Sequence, residues 1–221
     1  MLIGKGIGRK NSVITMKPYS FVYNKEEYDF HNFREEIDLS NCNMKIVMAE
    51  EQLFIKIFEV NNDIKRILSF IQDKINNIFP QNGEILYDYE RNNDNNLLAI
   101  YSIKGKKRIE KLSQNANNLE VKPIQLIVKK SLIKKLKNKN LSCSVIFKFE
   151  DSFYYLKIDK GLLYENHISE NLYIVLDKVL KDDISELYID QNIDYTKLHI
   201  DNIRFIKLNM EELVYDKLFK K

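Results

Sequence analysis

The sequence predicts a mixed α/β protein, because apolar runs of strand length alternate along the chain with amphipathic stretches of helix length. The clearest amphipathic stretch repeats Ile64, Ile67, Leu68, Ile71, Ile75 and Ile78 at steps of three and four. Only 6 Gly and 3 Pro interrupt 221 residues, so long unbroken elements are expected rather than disorder.

In chain order, residues 1–23 read as strands. Val13, Tyr19, Phe21 and Tyr23 alternate loosely, and Gly8 to Asn11 offers a hairpin turn. Strands follow over 45–48 and 53–60. The second is apolar on both parities (Leu53, Ile55 and Ile57 on one, Phe54 and Phe58 on the other), which predicts burial on both faces. Asn62 or Asp63 supplies a short polar side chain to cap the helix carrying the isoleucine stripe. Pro80, lacking an N–H, ends it. Strands over 85–90 and 97–104 pair across the polar loop 91–96. Next come a helix over 107–117, a short strand over 122–125 and a lysine-rich helix over 126–136.

The last third begins with a meander over 144–149, 153–158 and 162–166, with turns at Glu150-Asp151-Ser152 and Asp159-Lys160-Gly161. A helix over 169–180 carries Leu172, Ile174, Val175, Leu176, Val179 and Leu180. Strands over 186–189 and 203–208 bracket a short helix, and a helix over 210–219 closes the chain. The polar stretch Asn138-Lys139-Asn140 marks a boundary between two lobes. No internal repeat is evident.

Charge argues against one large class of function. Lys and Arg number 35 against 32 Asp and Glu, and a net charge of +3 gives no general pull toward nucleic acid. Cys42 and Cys143 are too few and too separated for a disulfide scaffold, which favours a reducing compartment. No apolar run approaches the ~20 residues of a membrane span, and the N-terminus lacks the apolar core of a signal peptide. Any membrane attachment is therefore expected through a partner, or through an anchor outside this chain.

The middle of the chain resembles the PilM family of type IV pilus assembly proteins and the related cytoplasmic domains of GspL from type II secretion. The resemblance rests on the strand ending at Val60, the helix to Phe79, then Pro80 and the strand Ile85-Leu86-Tyr87-Asp88-Tyr89. Leu98-Ala99-Ile100-Tyr101 and the helix–loop–strand from Lys106 to Pro123 continue it. It implies a degenerate, truncated actin-like (ribonuclease H-like) fold of two lobes with mixed sheets. Residues 1–138 would form the N-terminal lobe, with a small subdomain inserted at about 45–105, and 139–221 a reduced second lobe.

An actin-like ATPase holds nucleotide between two phosphate hairpins, which need small residues and a metal-binding Asp, and beside a glycine pair. By the resemblance, the first hairpin falls at Ile3-Gly4-Lys5-Gly6-Ile7-Gly8, where Gly6 stands in place of the Asp and Arg9-Lys10-Asn11 follows as a bulky turn. The second falls near Ile146-Phe147-Lys148-Phe149, with Phe147 and Phe149 replacing Asp and Gly. Leu187-Tyr188-Ile189-Asp190-Gln191 lacks the glycine pair. Gly4, Gly6 and Gly8 also miss dinucleotide and P-loop spacing. No cofactor and no catalysis are expected.

Other chemistry is equally thin. His31, His167 and His199 have no His or Cys neighbour at metal spacing, so no metal is expected. Glu26-Glu27 and Asp182-Asp183 read as solvated ends or loops, and Cys143 as a small packed side chain. Lys129, Lys130, Lys134, Lys135, Lys137 and Lys139 read first as a solvated helix face with a favourable dipole at its end. Docking of an acidic partner or anionic surface through Lys134 and Lys135 is the functional alternative.

The resemblance implies a cytoplasmic scaffold, peripheral to the inner face of the cell membrane. It would bind a PilN-like tail of an inner-membrane pilus assembly protein and link it to a motor ATPase. Pro80, Tyr87 and Tyr89 mark the candidate tail groove, since Tyr buries large area at modest entropic cost. Strand-face packing explains the two tyrosines equally well. A divergent actin-like ATPase and a nucleic-acid accessory protein are the competing readings. The last is weakened because alternation puts Lys148 opposite Phe147 and Phe149.

Overall fold

A computed structural model describes residues 10–60, 67–182, 184–194, 203–215 and 218. The candidate loop Gly4, Gly6 and Gly8, the caps Asn62 and Asp63, and His199 lie outside the described residues.

The first sheet contains β1 (Lys10–Met16), β2 (Ser20–Tyr23), β3 (Glu26–Asp29), β4 (Cys42–Met48) and β8 (Asn118–Pro123), in the order β3-β2-β1-β4-β8. The β1–β2 and β2–β3 pairs are antiparallel, while β1–β4 and β4–β8 are parallel. Helix α1 (Phe33–Glu36) lies on the crossover from β3 to β4. The last sheet contains β9 (Cys143–Phe149), β10 (Ser152–Asp159), β11 (Leu162–Ser169), β12 (Glu186–Asp190) and β13 (Arg204–Leu208), ordered β11-β10-β9-β12-β13. Its pairs repeat the pattern: β9–β10 and β10–β11 antiparallel, β9–β12 and β12–β13 parallel. Two copies of one topology therefore form the molecule, although the sequence shows no repeat. Register, strand order and crossover are fixed by pattern and turns rather than by residue identity, so the copies share a path without sharing residues.

Between β4 and β8 the chain inserts a three-stranded antiparallel sheet, β5 (Phe54–Glu59), β7 (Leu97–Lys104) and β6 (Ile85–Asn92), ordered β5-β7-β6. Helix α2 (Ile67–Ile78) covers one of its faces through Val60, Ile71, Phe79, Leu98 and Ile100. Phe54 meets Phe79 edge-on at 5.3 Å, and Phe58 meets Phe70 at 6.2 Å. The other face, with Leu97, Ala99, Tyr101 and Ile103, joins the main core. The strand buried on both faces is thus the central β7. As an edge strand, β5 touches core on both faces while none of its own side chains is fully buried.

Helices α3 (Lys106–Ser113) and α4 (Ile124–Leu136) flank β8, and α5 (Leu172–Lys181) packs on the last sheet through Val175, Leu176 and Val179. A π-helical turn at Glu211–Tyr215 packs against α4. Several sequence expectations are corrected. Lys10 and Asn11 belong to β1, so the first described hairpin turn is Lys17-Pro18-Tyr19 rather than Gly8 to Asn11. The strand expected over 122–125 runs from Asn118 to Pro123, and α4 starts at once behind the proline. Leu68 and Ile78 belong to the predicted stripe but point outward, Leu68 with 65% exposure; Phe70 takes their place inside. Among the described residues no helix is long and apolar enough to cross a membrane.

Candidate functional site

The two copies of the topology put their first hairpins, β1–β2 and β9–β10, at equivalent places, and the hairpin turns meet. Lys17, in the first turn, donates to Asp151 Oδ2 in the second at 2.8 Å, and its ammonium lies 3.6 Å from Glu27. The Lys17 side chain is only 9% exposed. Burial alone pushes its ammonium down, but the Asp151 hydrogen bond and the carboxylates of Glu50, Glu27 and Asp151 outweigh burial and hold it above its ordinary value. The hydrogen bond from Lys17 holds Asp151 below its own.

Two more carboxylates face this contact. Glu50 follows β4 with φ +59°, and Glu150 opens the β9–β10 turn with φ +51°. For non-glycine residues this left-handed backbone costs energy that the surrounding structure must supply. Glu50 accepts a backbone hydrogen bond from Asp151, its own N–H donates to Tyr154 Oη at 2.7 Å, and its Oε1 is buried without a partner. Burial pushes the carboxyls of both Glu50 and Glu150 up, with Lys17 pulling the other way. Behind them Arg108 clamps the first hairpin, donating to Lys17 O at 2.8 Å and pairing with Glu51 at 2.5 Å.

Strand β9 carries large rings into the core. Phe147 and Phe149 are fully buried, and Phe147 stacks on Tyr154 with centroids 4.8 Å apart and planes 7° from parallel. The expectation for the first hairpin is relocated, since the strand equivalent to β9 is β1 and its turn offers Lys17, Pro18 and Tyr19. Pro18 contributes no backbone donor there. At the end of β12, the carboxylate of Asp190 accepts from the N–H groups of Asn192 (3.1 Å) and Lys148 (3.5 Å), and burial pushes it up. The local chemistry is Lys17, backed by Arg108, among the carboxylates of Glu27, Glu50, Glu51, Glu150 and Asp151.

The other predicted residues lie elsewhere. Tyr87 donates to Pro80 O at 2.8 Å and meets Phe79 edge-on at 5.8 Å, so Pro80 and Tyr87 do come together at the end of α2. Tyr89, two residues along β6, is 43% exposed. Lys134 and Lys135 are exposed on α4, with Lys135 Nζ 3.2 Å from Glu212, and among the described residues no hydrogen bond or ion pair joins them to the Pro80 group.

The solvated-face reading fails for Lys129, which is 2% exposed and ion-paired with Glu90. Tyr101 donates to the same carboxylate at 2.9 Å, and Lys130 lies 3.4 Å from its other oxygen. Burial pushes Glu90 up, but Lys129 and Tyr101 outweigh it and keep it ionised. This cluster ties the inserted sheet to α4. Nothing in the sequence separates Lys129 from its neighbours except its position three residues before the buried Leu132.

Asp182 is likewise no solvated end: it accepts from Tyr155 and, at 3.0 Å, from Lys157. Glu26 and Glu27 lie in edge strand β3. Burial pushes the Cys143 thiol up to about 12, as expected of a packed side chain. Burial, then Lys178, lowers the pKa of His167, whose Nε2 is buried without a partner. Among the described residues no group of three or more His, Cys, Asp or Glu is placed to hold a metal ion.

Two halves of identical topology, joined at their hairpins and carrying an inserted subdomain in the first, define the actin-like fold, and this chain has it. Similar solved structures include a Bacteroides thetaiotaomicron protein with an actin-like ATPase fold and unknown function (TM-score 0.50, 14% identity, 90% of this chain and 91% of that one). The cytoplasmic domain of EpsL, an inner-membrane component of the Vibrio cholerae type II secretion system, matches with TM-score 0.52 and 8% identity over 95% of both chains. The PilM–PilN type IV pilus biogenesis complex matches with TM-score 0.56 and 7% identity, over 93% of this chain and 90% of that one. No family model and no curated protein matches the sequence.

Proposed function

We propose that this chain is a non-catalytic scaffold of a type IV pilus or type II secretion-like assembly platform. It would hold the tail of an inner-membrane assembly protein, PilN-like in role, and link it to a motor ATPase from the cytoplasmic side of the membrane. The observation that carries the non-catalytic part is the hairpin contact. Where an actin-like ATPase brings phosphate between its two hairpins, this chain closes them on each other through Lys17 and Asp151 and adds Glu50 and Glu150 nearby. Carboxylates in a partly buried setting repel a triphosphate strongly. The likeness to EpsL and to the PilM–PilN complex supports the assembly role.

The tail-binding face is the end of the inserted sheet, where Pro80 and Tyr89 are exposed beside Tyr87. A photo-crosslinking residue at Tyr89, in the full chain expressed in its native cell, should capture an inner-membrane protein. The same residue at Tyr173, exposed on α5, should not. Capture of no membrane protein at Tyr89, or equal capture at both positions, would contradict the proposal.

A further inference from the structure

A cleft of about 510 Å³ opens between the β6–β7 loop, α4, the α4–β9 linker and the β10–β11 turn. It is distinct from both the hairpin junction and the Pro80 group. Arg91, Lys130, Lys139 and Lys160 line it, with Lys129 at its buried end. Among the described lining residues only two carboxylates, Glu90 and Asp94, answer these five cations. Glu90 is already held by Lys129 and Lys130, and Asp94 accepts from Asn140 Nδ2 at 3.4 Å. Among the described residues Arg91, Lys139 and Lys160 have no ion-pair partner, and Arg91 Nε is buried without any acceptor. A guanidinium donor withdrawn from water and left unpaired is costly unless an acceptor arrives.

The walls are fixed in place. Asn92 Nδ2 donates to Asn140 Oδ1 at 2.9 Å and to Lys160 O at 2.6 Å, and Asn95 Nδ2 reaches Asn140 Oδ1 at 3.3 Å. Gly161 has φ +74°, and a Cβ there would sit 2.0 Å from Lys139 O, so linker and turn are packed as closely as backbone permits. Three segments distant in sequence thus hold four cations around one opening at little further ordering cost, which is the condition for selective charge recognition.

We propose that this cleft binds an acidic peptide segment of a partner protein, with its carboxylates received by Arg91, Lys139 and Lys160. The inference deepens the scaffold reading by assigning a second contact, and rests on it. An open cleft with cations spread along its rim, and Ile133 and Leu162 as its apolar floor, suits a strand of carboxylates better than one compact anion, which favours a single convergent point.

The test is fluorescence anisotropy of the full chain with a labelled octapeptide of Asp and Glu, and with its Asn and Gln counterpart. The acidic peptide should bind and the neutral one should not. The Arg91→Gln/Lys139→Gln/Lys160→Gln variant should weaken binding by about tenfold or more. Lys104→Gln/Lys106→Gln/Lys111→Gln, an equal charge change outside the cleft, should leave it within about twofold. Circular dichroism establishes that both variants fold; if the cleft triple does not, the three single variants replace it, each expected to weaken binding on its own. Equal losses in both triples, no acidic-peptide binding, or inorganic phosphate displacing the peptide at micromolar concentration would overturn the proposal. If the peptide fails while crosslinking at Tyr89 succeeds, the scaffold reading survives and only the cleft assignment falls.

Discussion

Lys17 is the residue on which the hairpin junction turns, and the carboxylates around it give the junction a pH signature. Glu150 holds its proton to higher pH in the folded protein than in the unfolded chain, because burial disfavours its charged form. Stability from this group is therefore present at low pH and lost as pH rises through the folded value. Asp151 behaves oppositely: its depressed value contributes stability at neutral pH that is lost as pH falls through it. Glu150→Gln should raise the Tm at pH 7 and leave it unchanged at pH 3, as read by thermal melts. A lower Tm at pH 7 would mean that Glu150 is chiefly an ion-pair partner of Lys17. Gly161→Ala should cost about 2 kcal/mol or more, since it adds a side chain at positive φ against Lys139 O; urea unfolding checks this.

At the scale of elements, the predictions follow who is buried rather than who is apolar. Leu98→Ala or Ile100→Ala on β7 should cost about 2–5 kcal/mol, whereas Leu68→Ala should stay within about 0.5 kcal/mol in urea unfolding. Lys129→Met should cost about 3 kcal/mol by leaving Glu90 buried and short of its partner. Adding Glu90→Gln, which keeps an acceptor for Tyr101, should recover most of that loss. Element order was legible in the sequence because strand and helix periods differ and few breakers blur them. Which apolar side chain faces inward was less so: in α5 Val175 and Val179 are buried while Ile174 and Leu180 are exposed. Helical spacing gives a stripe, and only the neighbouring sheet decides its centre. For Lys129 the local signal is only its position three residues before Leu132, since its partner Glu90 lies 39 residues away and belongs to the inserted sheet.

For the whole molecule, the actin-like architecture reached through the PilM and GspL resemblance is the fold observed, while the duplication beneath it was invisible in residue identities. That gap also displaced the first hairpin: glycines drew attention to Gly4, Gly6 and Gly8, whereas the strand order puts the hairpin at Lys17-Pro18-Tyr19. The central claim, that the junction excludes nucleotide and the chain acts by holding partners, is tested most directly by titrating the full chain with Mg-ATP in a calorimeter. The account predicts no saturable heat up to millimolar nucleotide. Saturable binding with a micromolar Kd, lost in Asp190→Asn or Phe147→Ala, would contradict it.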